Sequence, residues 1–121
     1  MHTGDELPKV SPDTAMNKVL YEISNKRLGL TTIVDENDRL LGIFTDGDLR
    51  RLIDKQQGFD VNLAVSDVMI KSPLTISPEA RAVEALERMN EKKINQFVVV
   101  DESNKVIGVL SMHDLIQAGV N

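Results

Sequence analysis

Apolar positions in the first half of the chain switch between the spacing of a helix and that of strands. Four of them recur every three or four residues, as on one face of a helix: Met16, Val19, Leu20 and Ile23. The sequence Ser11-Pro12-Asp13 has the residue types of a helix start, so we predict a helix from there to about Lys26. Residues 30–35 and 40–44 are apolar or β-branched and predict two strands joined by a polar turn.

The same order of elements returns 66 residues later without a gap, from Ser11 and Ser77 to Gly42 and Gly108. In the second copy the pattern predicts a helix from 77 to 92, strands at 96–100 and 105–110, and a last helix from 112 to about 118. The matching helix of the first copy is predicted to begin at residue 45 or 46, and short strands are predicted at 9–10 and 74–76. An ungapped internal repeat indicates a tandem of two similar units.

The predicted fold class is α/β (α+β), with the order strand, helix, strand, strand, helix in each repeat and helices covering the sheets. We place the first repeat at residues 1–60 and the second at 61–121. The stretch from Val65 to Met69 leads into the second repeat, whereas only Met1 remains of the equivalent stretch before the first. We therefore expect that the chain is cut from a longer protein, with Met1 matching Met69.

Composition narrows the possible partners. The net charge of −5 argues against nucleic acid or an anionic membrane surface as the main partner. The absence of cysteine excludes disulfides and thiolate metal sites, and no apolar run is long enough to span a bilayer. We expect a soluble, cytoplasmic protein without a metal or a resident cofactor.

Each repeat carries a hydroxyl residue three positions before an aspartate, at the predicted start of its last helix. These pairs are Thr45 with Asp48 and Ser111 with Asp114. The spacing fits a capping box, in which the hydroxyl accepts a backbone N–H and the acid reaches back to the cap residue. A helix start also offers unpaired N–H groups to an anion. Capping and ligand binding are compatible, and the residues alone leave both open.

This two-copy pattern of a glycine, a short apolar strand and Thr/Ser-x-x-Asp resembles the CBS-domain pair, also called a Bateman module, over nearly the whole chain. The resemblance implies repeats that pack through their sheets about a pseudo-twofold axis and leave two clefts, which in that family commonly hold adenine nucleotides. It implies phosphate and ribose contacts from Thr45, Asp48, Ser111 and Asp114, and backbone contacts to a base from Val10 and Ile76. The chain departs from the family where Thr32 and Val98 replace a frequent proline.

A narrower similarity, to the C-terminal module of bacterial D-arabinose 5-phosphate isomerases, is carried by residues 1–6, 42–51 and 112–115. It implies that the intact parent is an enzyme with its own sugar-isomerase domain, which converts ribulose 5-phosphate to arabinose 5-phosphate for Kdo and lipopolysaccharide biosynthesis. The present chain would be a non-catalytic regulatory module of that parent. Its expected ligand is AMP, ADP or ATP, or the nucleotide-activated sugar acid CMP-Kdo.

Three residues beside the motifs are further candidates. His113, within the second motif, is either a donor to a ligand phosphate or carboxylate or an ordinary surface histidine. Arg50 and Arg51, just after the first motif, either complete an anion pocket or pair with acids. An alternative function is an assembly module without a small-molecule ligand, in which apolar helix faces form a homo-oligomer. No nucleophile–base pair stands out, so catalysis by this chain itself is not expected.

Overall fold

The computed structural model describes residues 2–26, 28–56, 60, 62–117 and 119. The first repeat contains β1 (Lys9–Val10), α1 (Met16–Lys26), β2 (Leu30–Val34), β3 (Leu40–Thr45) and α2 (Asp46–Gln56). The second contains β4 (Ile70–Lys71), β5 (Thr75–Ile76), α3 (Ala82–Lys92), β6 (Gln96–Val100), β7 (Val106–Ser111) and α4 (Met112–Gln117). The predicted mixed α+β class is confirmed. Three predictions fall on residues outside the described ranges, namely Met1, residue 61 and Ala118. They are the match of Met1 with Met69, the boundary between the repeats at 60/61, and the end of the last helix near residue 118.

The two repeats build matching sheets. Strand β1 pairs in parallel with β2, which pairs antiparallel with β3, and strands β5, β6 and β7 repeat this arrangement. All five residues of β2 are buried, because one face of the strand meets the helices and the other meets the second sheet. This two-sided burial explains the continuous apolar and β-branched sequence of the strand.

The segments that lead into the repeats are exchanged between them. Strand β4 precedes the second repeat but pairs with β3 of the first, where Ile70 lies opposite Ile43. His2 precedes the first repeat but pairs with Val109 of β7, and the two residues exchange backbone hydrogen bonds of 2.9 and 3.0 Å. Because Ile43 and Val109 are matching positions of the repeats, the two crossings are pseudo-twofold counterparts.

An apolar core between the two sheets joins the repeats. Its buried members come from both halves of the chain: Leu7, Leu30, Val34, Leu40, Val98, Val106 and Val109. At one end the hairpin turns bind each other, since Leu40 N donates to Asn104 O at 3.0 Å and Val106 N donates to Asp38 O at 2.9 Å. Each repeat also has its own core beneath its helices. No helix in the described part of the chain is long and apolar enough to cross a membrane.

Both first helices begin later than predicted. Helix α1 begins at Met16 because residues 11–14 form a turn, in which Thr14 N donates to Ser11 O at 3.1 Å. The next residues then pair with the linker, and Met16 N donates to Leu63 O at 2.9 Å. Helix α3 begins at Ala82 after an equivalent turn at residues 77–80. The prediction of helix starts at residues 11 and 77 is therefore wrong.

Candidate ligand-binding clefts

Two clefts lie where the repeats meet. The Thr45 cleft has a volume of about 490 Å³ and joins the start of α2 to residues 93–96 of the second repeat. The Ser111 cleft has a volume of about 610 Å³ and joins the start of α4 to Leu28 and His2 of the first repeat. Because residues 45 and 111 are matching positions, the clefts are pseudo-symmetric counterparts.

Each motif forms the predicted capping box. Asp48 N donates to Thr45 Oγ1 at 3.1 Å, and Thr45 N donates to Asp48 Oδ2 at 2.9 Å. In the second repeat Asp114 N donates to Ser111 Oγ and Ser111 N donates to Asp114 Oδ2, both at 3.1 Å. These reciprocal bonds satisfy backbone donors that a helix start leaves unpaired. The sequence spacing therefore has a structural role in both repeats.

The second carboxylate oxygen of each aspartate has a different neighbour in the two clefts. Asp48 Oδ1 lies 2.5 Å from Nη2 of Arg51, and the Asp48 side chain is only 9% exposed. Asp114 Oδ1 lies 3.4 Å from Nε2 of His2, and the Asp114 side chain is 20% exposed. The Arg51 side chain is 73% exposed, so this ion pair lies at the surface and contributes little energy. Asp48 is thus the less accessible of the two acids, and Asp114 the more accessible.

The surroundings of Asp114 favour its ionised form. Burial raises the pKa of this carboxyl, but the hydrogen bonds from the Ser111 backbone and side chain and the nearby charge of His2 together outweigh it. The pKa of Asp114 therefore lies below its ordinary value, and the group is an anion that can accept hydrogen bonds at neutral pH. Acceptance from ligand hydroxyl groups is one chemistry that such a carboxylate supports.

The clefts also differ in their other charges. Arg51 and Lys93 line the Thr45 cleft together with the exposed Asp46. His2 and His113 line the Ser111 cleft beside Asp114. The first cleft therefore contains a guanidinium and an ammonium group, whereas the second contains two imidazoles.

One wall is common to both clefts. Leu28, Asn95 and Gln96 line each of them. The Gln96 side chain donates through Nε2 to the carbonyl oxygen of Leu28, so this wall is tied across the junction of the repeats. Gln96 therefore belongs to the surfaces of both clefts.

The structure separates the candidate residues into groups. Thr45 and Arg51 line one cleft, and Ser111, His113 and Asp114 line the other. Asp48 is hydrogen-bonded to Thr45 and Arg50 is exposed on α2, and neither of them lines a cleft.

Val10 and Ile76, expected beside the motifs, line different depressions, with Pro12 and Pro78 respectively. The structure thus brings neither of them to the clefts, and the ligand roles of all these residues stay predictions. Sequence reasoning missed His2, Leu28, Lys93 and Gln96, because each of them reaches a motif of the other repeat. No spacing within one repeat signals such a contact.

Comparisons with known proteins agree with this architecture. A model of the CBS domain matches residues 1–55 and 65–121. Arabinose 5-phosphate isomerase KdsD of Yersinia pestis is 46% identical, and that of Pseudomonas aeruginosa 45% identical, each over 99% of this chain. The chain spans 36% of the length of each of these relatives.

Solved structures have the same fold. CBSX2 in complex with AMP is 27% identical, with a TM-score of 0.82 over 98% of this chain and 91% of that chain. Protein MJ1225 of Methanocaldococcus jannaschii has a TM-score of 0.83 over 96% of this chain and 47% of that chain, and at 22% identity it shows the fold alone. Both halves of the sequence match one domain model, and the two repeats pack as a pair: the chain belongs to the CBS-domain family.

Proposed function

We propose that this chain is the regulatory nucleotide-binding module of a D-arabinose 5-phosphate isomerase and is itself non-catalytic. The observation that carries the proposal is the pair of clefts at the repeat junction, each with a hydroxyl and an aspartate at the start of a helix. The identity with KdsD isomerases supports the assignment of the parent. The parent's reaction in Kdo and lipopolysaccharide biosynthesis, and its cytoplasmic location, are parts of the same proposal.

The Ser111 cleft is the better candidate for the nucleotide. Asp114 is ionised and 20% exposed, so its carboxylate can accept hydrogen bonds from ribose hydroxyls. The exposed His113 lies in the same cleft and provides a donor for a phosphate. In the other cleft the matching acid, Asp48, is only 9% exposed and is paired with Arg51, so its carboxylate is less accessible to a ribose. The complex of CBSX2 with AMP shows that a protein of this fold binds a nucleotide.

Adenine nucleotides are the first ligand class to test, and CMP-Kdo is the second. A sugar acid brings a carboxylate as well as a nucleotide, and His113 could donate to it in the Ser111 cleft. Arg51 lies in the other cleft, and Arg50 lies outside both. One CMP-Kdo molecule in the Ser111 cleft would therefore meet His113 but neither arginine.

Regulation requires that the ligand bind two arrangements of the protein with different affinities. Both clefts are built from both repeats, so a ligand in either one contacts the junction directly. We propose that occupancy changes the relative position of the repeats, and through it the isomerase domain of the parent. In the intact parent the bound nucleotide should then change the rate of ribulose 5-phosphate isomerisation.

Thermal melting of the chain with AMP, ADP, ATP, CMP and CMP-Kdo tests the proposal. A ligand at about one hundred times its Kd should stabilise the chain by roughly 2.7 kcal/mol and raise the midpoint by several degrees. Asp114→Asn keeps an oxygen for the capping box but removes the charge, so the shift should be lost in this variant. Asp48→Asn is the matched control in the other cleft, and its shift should persist.

Two outcomes would contradict the assignment. If no compound moves the midpoint of the unmodified chain, the clefts do not bind these nucleotides. If the shift survives Asp114→Asn and disappears in Asp48→Asn, the nucleotide binds in the Thr45 cleft instead. Because both variants keep the cap geometry, a loss of folding is not expected to obscure the comparison.

Exposed apolar side chains support assembly as a second candidate function. Four lie on helices and retain large exposed fractions: Tyr21 69%, Ile53 42%, Val83 42% and Ile116 56%. We propose that such a surface joins copies of the module into a homo-oligomer, with or without a nucleotide. Light scattering during size-exclusion chromatography measures the mass directly, and a monomer at all concentrations would exclude this candidate.

A further inference from the structure

The linker between the repeats fills a groove on the first repeat. This first groove is formed by residues 12–16 and the apolar faces of α1, β2 and β3. Val65 of the linker is fully buried in it. The backbone of the linker is bound there as well, since Val65 N donates to Thr14 O at 2.9 Å and Ser66 N donates to Pro12 O at 3.0 Å.

The second repeat has a matching groove. This second groove is formed by residues 78–82 and the corresponding apolar faces, and it contains a cavity of about 220 Å³. Besides Ile76, Ser77 and Pro78, the cavity is lined by Ala80, Ala82, Ala85, Val99, Leu110 and Leu115. Their matching positions in the first repeat form the groove that holds Val65. The cavity therefore lies where the first repeat binds its linker.

Side-chain size accounts for part of this difference. Met16 and Val19 are fully buried in the first groove, whereas the matching residues of the second are Ala82, which is exposed, and Ala85. Phe44 of the first repeat is matched by Leu110. The second groove thus presents smaller side chains and more accessible apolar surface, and burial of such surface favours binding of an aliphatic partner.

Backbone groups of the second groove are also available for pairing. In the first groove Met16 N, Thr14 O and Pro12 O bind the linker. The matching groups are Ala82 N, Ala80 O and Pro78 O, and among the described residues none of the three has a hydrogen-bond partner. A row of unpaired donors and acceptors is a template for an extended peptide.

We propose that the second groove is the docking site for an extended aliphatic segment of the longer parent, namely the polypeptide that leads into His2. The pseudo-symmetry supports this occupant. The linker that fills the first groove leads into Ile70, and Ile70 and His2 occupy matching positions in the two strand crossings. Val65 lies five residues before Ile70, so the equivalent position lies five residues before His2. Its side chain would be aliphatic, because the cavity is lined by aliphatic carbons.

This inference rests on the proposed function, in which the chain is part of an isomerase. In the curated KdsD relatives the matching stretch is the C-terminal part, so their polypeptide continues before it. The docked segment would contact Leu115 of α4, the helix that carries His113 and Asp114. Binding in the Ser111 cleft and docking of the segment would then act on the same helix, which gives the module a physical connection to the rest of the parent.

A synthetic peptide with the sequence of residues 62–69 tests the docking site in trans. We would titrate it into the isotope-labelled chain and follow the backbone amide resonances by NMR. The expected result is saturable shifts at residues 78–85, 110 and 115. A peptide with Val65→Asp should bind at least about tenfold more weakly, because it places a charge in an apolar cavity. A peptide N-methylated at Val65 should also bind more weakly, because its residue 65 has no N–H to donate to the carbonyl oxygen of Ala80.

Three results would overturn the proposal: no saturable shift at millimolar peptide, equal binding of the Val65→Asp peptide, or shifts confined to residues 12–16 and α1. The last result would mean that the peptide merely exchanges with the chain's own linker in the first groove. The nucleotide melting experiment does not depend on the peptide, so failure of the docking site and failure of the nucleotide-binding assignment can be told apart.

Discussion

Substitution of Gly42 tests how closely β4 approaches β3. A Cβ added at Gly42 would lie 2.6 Å from the carbonyl oxygen of Ile70 and 2.8 Å from Sδ of Met69. Met69 can adopt another rotamer, but the oxygen of Ile70 belongs to the backbone of β4. Gly42→Ala must therefore move β4 away from β3, which weakens the pairing of Gly42 with Lys71 and of Ile43 with Ile70.

The expected cost follows from this contact. Overpacking of a close-packed site typically costs about 1–3 kcal/mol, and a clash with backbone belongs to the upper part, about 2–3 kcal/mol. Gly47 provides a matched control in α2. A Cβ there would lie no closer than 3.5 Å to its nearest neighbour, a terminal nitrogen of Arg51. Alanine is the better helix former, so Gly47→Ala should stabilise the chain by about 0.5 kcal/mol near the helix start.

The two variants should move the melting midpoint in opposite directions. For a chain of this size 1 kcal/mol corresponds to about 4 °C. We therefore expect Gly42→Ala to melt about 8–12 °C lower than the unmodified chain and Gly47→Ala about 2 °C higher, by circular dichroism or calorimetry. A Gly42→Ala variant that melts within about 1 °C of the unmodified chain would refute the close approach of β4.

Further predictions concern buried hydrogen bonds and acid stability. Thr32→Val removes a buried hydroxyl that donates to Pro8 O at 2.7 Å, so urea unfolding should show a loss of about 1 kcal/mol. Ser111→Ala removes an acceptor of the second capping box and should cost about 1 kcal/mol in the same assay. The backbone N–H of Arg39 holds the pKa of Asp35 below its usual value, so the stability contributed by this carboxylate is present at neutral pH and is lost as the pH falls below the ordinary aspartate pKa of about 3.9. Asp35→Asn should therefore flatten that part of the stability profile, and an unchanged profile would contradict this account.

The parts of the fold predicted correctly are those that one repeat specifies locally. Strand β6 has the predicted bounds, residues 96–100, because its apolar run ends at a polar turn, and β1 also lies at the predicted residues 9–10. The capping boxes also form as predicted, since their donors and acceptors lie within four residues of each other. Such features are formed by residues that are close together in the sequence, so the spacing of apolar and polar residues is enough to predict them.

The parts that escaped prediction depend on the other repeat. Strand β4 has only two residues, both exposed, and exists because β3 of the first repeat binds it. Gln96 belongs to both clefts for the same reason, since its contact with Leu28 crosses the junction. A sequence read as two separate repeats does not contain these contacts.

The differences between the repeats carry the functional argument. Pseudo-symmetry would give two equivalent clefts, yet the first holds its aspartate in an ion pair with Arg51 at 2.5 Å, and the second leaves its aspartate 20% exposed beside histidines. The Asp48 carboxylate is only 9% exposed, so a ligand reaches it less readily than the Asp114 carboxylate. The Ser111 cleft is therefore the better suited of the two to bind a ligand. Leu115 lies in α4, which starts at the second cleft, and it also lines the second groove, so the features that break the symmetry meet on one helix.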